Sequence, residues 1–169
     1  NIIQRKFNTS GIKDKVKDII SEVRKNGDEA LIKFSSKYDN YSIDNAKDLE
    51  IPKEKFLEAL DKISKEELEA LNYAKTRIEE FASHQKSKSW DYTSEEIKLG
   101  EKITPINKVG IYVPGGSAAY PSSVLMNAVP AKVAGVKEII MVVPSPNGEV
   151  NNLVLAAAHL GGVDRLFRI

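Results

Sequence analysis

Residues 108–126 read KVGIYVPGGSAAYPSSVLM. The run from Val109 to Val113 is apolar without interruption, as a buried strand would be, and it stops at Pro114 and the pair Gly115–Gly116. Small residues follow, then Pro121, two serines and a second apolar run. Val124 to Ala134 has the length of a helix, which Pro130 should kink or break. Glu138 to Val143 (EIIMVV) reads as a second buried strand, and Ser145 to Gly148 as a turn. Val150 to Leu160 reads as a helix ended by Gly161–Gly162, and Leu166 to Ile169 as the start of a third strand. This β-α-β-α-β order predicts a parallel sheet with right-handed crossovers, half of a nucleotide-binding type α/β fold. The third strand then leaves a sheet edge exposed, which suggests a portion of a longer protein.

Upstream, composition changes near residue 100, from Lys, Glu, Ser and Asp to Val, Ala, Gly, Pro and Ile. Ile12, Val16, Ile19, Ile20 and Val23 fall on one face of a helix opening at Ser10 and stopped by Gly27. Asp28 can cap a second helix carrying Leu31, Ile32 and Phe34. Pro52 suits the first turn of a third, with Phe56, Leu57, Leu60 and Ile63. Ser64 and Glu67 have capping-box spacing and open a long amphipathic helix that ends near Gln85. KSKSW then begins a polar loop, and Ile97–Ile103 has strand character. The fold class expected is therefore α/β. A helical N-terminal part, residues 1–107, precedes an incomplete Rossmann-like βαβαβ parallel sheet, residues 108–169.

The totals exclude several function classes. The 169 residues carry 25 basic and 24 acidic side chains, a net charge of +1 that gives no electrostatic case for nucleic acid or a membrane surface. No apolar run approaches membrane-spanning length. The chain has no cysteine, so disulfides and thiolate metal sites are excluded, and a reducing cytoplasm is compatible. His84 and His159 lie far apart, without metal-ligand spacing. The acidic residues form no convincing catalytic pair.

The glycine loop is the remaining candidate. Ligands of open α/β sheets bind beyond the carboxyl ends of the strands, where Gly115 and Gly116 fall. Ser122 or Ser123 could cap the following helix, whose free N–H groups favour an anion. Yet GGSAAYPSS is not GxGxxG, and glycine and proline often only punctuate a chain. A plain turn and a cofactor cradle both stay open, with Tyr112 as rim aromatic or ligand contact.

Residues 108–136, KVGIYVPGGSAAYPSSVLMNAVPAKVAGV, resemble the core of the histidinol dehydrogenase family. Upstream, IISEVRKNGDEALIKFSSKYD (19–39), ALNYAKTRIEEFASHQK and GEKITPINKVG are similar to that family as well. So is EIIMVVPSPNGEVNNLVLAAAHLGGVDRLFRI, to the last residue. The resemblance implies a cytoplasmic, zinc-dependent homodimer that oxidises L-histidinol to L-histidine through the aldehyde with two NAD+. It implies that Tyr112, the tyrosine of YVPGG, contacts NAD, and that Pro114, Gly115 and Gly116 line the same site. It also implies that the family's zinc ligands and catalytic Glu-His pair lie C-terminal to the matched stretch. No residue here is then assigned a catalytic or metal role, and the chain alone should be inactive. The alternative is a stand-alone nucleotide-binding or dimerisation module without catalysis.

Overall fold

A computed structural model describes residues 10–115 and 119–169. Helices α1 (Ser10–Asn26) and α2 (Asp28–Asp39) form a hairpin across Gly27, whose φ of 53° is open to glycine at little cost. Asp28 is not the cap expected of it. It is the first helical residue, Gly27 takes the cap position without a side-chain bond, and the Asp28 and Glu29 carboxylates meet the positive end of the helix instead. Left-handed Asn40 closes α2. A 3-10 turn (Ala46–Leu49) leads into strand β1 (Glu50–Ile51), then α3 (Glu54–Glu58) and a second 3-10 turn (Ala59–Lys62).

Helix α4 (Lys65–Gln85) opens on the expected capping box. The Glu67 N–H donates to Ser64 Oγ at 3.2 Å, and the Ser64 N–H donates to the Glu67 carboxylate at 2.7 Å. The stretch read as a polar loop after Gln85 instead gives way at Trp90 to a hairpin, β2 (Trp90–Ser94) and β3 (Ile97–Glu101). Its register places Trp90, Tyr92, Ile97 and Leu99 on one face and Asp91, Thr93 and Lys98 on the other. That two-sided pattern appears only once the strands are paired.

The remaining elements are β4 (Lys108–Tyr112), α5 (Pro121–Ala134), β5 (Glu138–Val143), α6 (Asn152–Gly161) and β6 (Arg165–Arg168). Strands β4, β5 and β6 are parallel, as their continuous apolar runs predict. Sheet order is β1-β6-β5-β4, so the edge of β6 expected to be bare is covered by β1, running antiparallel. Neither Ser122 nor Ser123 caps α5, because the helix starts earlier, at Pro121, with Tyr120 before it. Nor does Pro130 break α5. The helix continues to Ala134 because burial of Val124, Leu125, Ala128 and Val129 outweighs one lost backbone bond.

Helices α4, α5 and α6 pack together on one face of the sheet. Alternation turns Ile111 and Val113, Ile139, Met141 and Val143, and Leu166 toward them, and Phe56 and Leu71 join the same core. The small residues of α6 set its distance from α5: a Cβ on Gly161 would lie 3.1 Å from Ala128 Cβ. The opposite sheet face carries Gly110, Tyr112, Ile140, Val142 and Phe167 and is more open.

At the amino end of β5, Asp164 accepts from Lys132 Nζ and from the Ile139 N–H, both at 2.8 Å, tying α5 to the strand. Burial pushes its carboxyl up, but the Lys132 and Ile139 hydrogen bonds and nearby lysine charge outweigh that and hold it below the usual aspartate range. A carboxyl depressed in the folded state stabilises above its unfolded pKa of about 4, and the contribution is lost as pH falls through the folded value. Urea midpoints measured from about pH 5 down to about pH 2 should therefore drop, and the drop should be shallower in Asp164→Asn. Ser64→Ala should cost about 1 kcal/mol in the same unfolding experiment. Leu166→Ala, in the fully buried core, should cost about 2–5 kcal/mol.

Candidate functional site at the carboxyl end of the parallel strands

Three parallel strands end together. Strand β4 runs out through Val113, whose N–H still donates to Val142 O at 3.0 Å, into Pro114 and Gly115. Strand β5 runs out through Val143 into Pro144 and the turn Ser145–Gly148. Strand β6 ends at Arg168, and the Ile169 N–H donates to Val143 O at 3.1 Å. The N-terminal end of α5 also opens at this edge, following Tyr120.

Tyr112 is the last residue of β4 and is 57% exposed, on the open face of the sheet. An aromatic ring left in solvent at the carboxyl end of a parallel strand can stack on a flat ligand and still offer its hydroxyl. Pro114 is exposed. Gly115 is half-buried, and its lack of a side chain has a local cause. A Cβ there would lie 2.7 Å from the Pro144 carbonyl oxygen and 3.4 Å from Val143 Cγ2. Glycine at this point lets the two strand-end loops touch through their backbones. Gly116 lies outside the described residues.

The turn at the end of β5 is tightly built. Ser145 is buried and its hydroxyl donates to Val143 O at 3.1 Å. The Gly148 N–H donates to Ser145 O at 2.8 Å. Asn147 and Gly148 both take left-handed conformations, with φ of 58° and 74°. The Pro-Asn-Gly signal marked this segment as a turn. Nothing in the sequence signalled that it meets Gly115, nor that Arg168 and Tyr41 reach it.

The two histidines stand apart from this edge. His84 is in the last turn of α4 and exposed; His159 is in the last turn of α6 and half-buried. Among the described residues, no three His, Cys, Asp or Glu side chains gather where they could hold a metal ion. The described residues by themselves therefore do not fit zinc. What this edge presents is the exposed Tyr112 ring at the end of β4 and the start of α5 at Pro121, the place where open α/β sheets bind ligands. A concavity of about 360 Å³ lies elsewhere, lined by Ala82, Gln85, Ile103, Pro105, Pro130 and Val133. It sits beside the chain entering β4, at the end of the sheet opposite to where open α/β sheets bind ligands.

A family model described as histidinol dehydrogenase matches residues 3–169. The chain belongs to the histidinol dehydrogenase family. Its similarity to curated histidinol dehydrogenases from Methylococcus capsulatus and Pseudomonas savastanoi pv. phaseolicola is 52% and 51% identity over 159 residues. Those matches cover 94% of this chain but only 36% of each relative, so the chain spans little more than a third of their length. The crystal structure of histidinol dehydrogenase from Elizabethkingia anophelis is similar with a TM-score of 0.83 at 29% identity, covering 98% of this chain and 37% of that one. The family resemblance carried by YVPGG and YPSSVLM thus extends over nearly the whole chain, and in the histidinol dehydrogenase fold these motifs fall on the end of β4 and the start of α5.

The Gly115 contact can be tested on the chain alone. Gly115→Ala should lower stability by about 1–3 kcal/mol in urea unfolding, because backbone must move to admit the methyl group. Gly110→Ala, in the middle of β4 where a Cβ meets nothing within 4 Å, should change stability by no more than about 0.5 kcal/mol.

Proposed function

We propose that these residues supply one edge of the NAD site of a zinc-dependent histidinol dehydrogenase. The reaction is the oxidation of L-histidinol to L-histidine through the aldehyde, with two NAD+ consumed in turn. The observation that carries the reading is Tyr112, the tyrosine of YVPGG, exposed at the carboxyl end of β4 in a chain whose family match runs from residue 3 to residue 169. When bound, NAD+ supplies the hydride acceptor. The chain's own part is to hold it: the Tyr112 ring packs on the cofactor, and Pro114, Gly115 and Gly116 line the same site. Zinc and the groups that move protons come from outside the stretch described here. The chain by itself binds but does not turn over, because hydride transfer needs cofactor, substrate and base held together.

A second reading, association of two copies, has its own support. Ile12, Val16 and Ile20 line one side of α1 at intervals of four residues and are 63%, 47% and 44% exposed. The hairpin face with Trp90, Tyr92, Ile97 and Leu99 is equally open. Apolar rows of this kind favour self-association, in keeping with a homodimer in a cytoplasmic setting.

Calorimetric titration with NAD+ tests the first reading. Saturable binding should appear and weaken about tenfold or more in Tyr112→Ala, as expected when an aromatic anchor is lost. Binding that ignores the substitution would remove Tyr112 from the site. Histidinol-dependent NADH formation by the 169-residue chain with added zinc should stay at background. Robust turnover would overturn the division of labour proposed here. Sedimentation should find dimers, and a monomer at all concentrations would end the association reading.

A further inference from the structure

The turn after β5 is gripped at both ends by contacts that only glycine permits. At its start, Gly115 lies against Pro144, where a Cβ would come within 2.7 Å of the carbonyl oxygen. At its finish, Gly148 lies under the ring of Tyr41, where a Cβ would collide with the ring carbons. Tyr41 immediately follows the residue that closes α2, so the far end of this chain of contacts is the helical hairpin, not the sheet.

Three further bonds hold the same seat. Asn40 Nδ2 donates to Asn147 Oδ1 at 2.9 Å. The Arg168 guanidinium donates from Nε to Gly148 O and from Nη1 to Asp48 O, both at 2.9 Å. Its charged carbon stands 5.4 Å from the centre of the Tyr41 ring, within cation–π range. Within the turn, the bonds from Ser145 Oγ to Val143 O and from Gly148 N–H to Ser145 O leave little slack. A displacement at Gly148 is therefore passed to Pro144, and Gly115 has no side chain to absorb it.

The geometry points to Tyr41 as a positioning residue. Its ring seats the Pro144–Gly148 turn, and the turn in turn sets where the Tyr112–Gly115 loop lies. The cofactor part of this inference rests on the NAD reading above; the mechanical coupling does not. The contacts to Gly148 and Arg168 are made by the ring.

Amide hydrogen exchange by NMR on the 169-residue chain tests it. In Tyr41→Ala, exchange at the Gly148 and Val113 amides should speed up about tenfold or more, while Ile139 and Met141 in the centre of β5 stay as slow as before. Tyr41→Phe should restore the parent rates at both. Unchanged exchange at Val113 in a folded Tyr41→Ala would overturn the coupling, and so would an equal acceleration across the whole sheet. If Tyr41→Ala does not fold, Asn40→Gly is read instead, since glycine takes the left-handed φ of 52° there without strain. It removes one exposed hydrogen bond and should speed the same two amides about threefold, and no change at Val113 would again refute the coupling. NAD+ titration of the same proteins separates the two readings. Binding by the parent chain that weakens in Tyr41→Ala supports both. Altered exchange with equal NAD+ affinity refutes the positioning role. Altered exchange with no NAD+ binding by any form supports the coupling and defeats only the cofactor site.

Discussion

The two-residue strand β1 ties the molecule together. Glu50 and Ile51 pair antiparallel with Phe167 and Leu166, so a segment from the helical half becomes the edge of the parallel sheet. The Glu50 carboxylate takes both Nε and Nη2 of Arg165, at 2.7 and 2.8 Å, in a forked bond that matches the planar guanidinium. That hydrogen-bonded fork is the main reason the Glu50 carboxyl is held below its usual range. Ile51 is buried beside Leu166, and Phe56 and Ala59 follow it into the core. Without this pair, β6 would be an open edge and α3 would have no fixed place over α6.

The same logic runs along the carboxyl edge, where contacts between distant segments decide the geometry. Gly115 is 29 residues from Pro144 along the chain, and Tyr41 is 107 residues from Gly148. In each pair a Cβ on the glycine would clash with its partner. A glycine in such a loop has two physical readings, ligand approach and backbone-to-backbone packing. For Gly115 the structure supplies the second. That does not weaken the case for a cofactor edge beside it, because Tyr112 points to the other, open face of the sheet and does not depend on where a Cβ would fit.

Much of the fold was legible because its signals are local. The EIIMVV strand, the capping box at Ser64 and the glycine stop after α6 all lie where the pattern of apolar, capping and flexible residues puts them. The misreadings are of one kind. Asp28 and the Ser122–Ser123 pair have good capping chemistry, but neighbouring residues took the cap positions. Pro130 has the chemistry of a helix breaker, but a helix with four buried apolar side chains before it continued. Of the hairpin, β3 was read as a strand, while β2 was taken into a polar loop because its alternation is diluted by charge until the two strands face each other.

The candidate site divides in the same way. YVPGG and YPSSVLM were enough, through family resemblance, to single out Tyr112, Pro114 and the glycines, because a motif is a property of neighbouring residues. By itself the sequence determined the β4-α5-β5-α6-β6 order, the parallel sheet those strands form and the family to which the chain belongs. Only the tertiary structure decided that β1 closes the edge, that Gly115 rests on Pro144 and that Tyr41 rests on Gly148. The physical reason is that such contacts depend on distance in space. No periodicity or spacing along the chain encodes which of its remote backbones will meet.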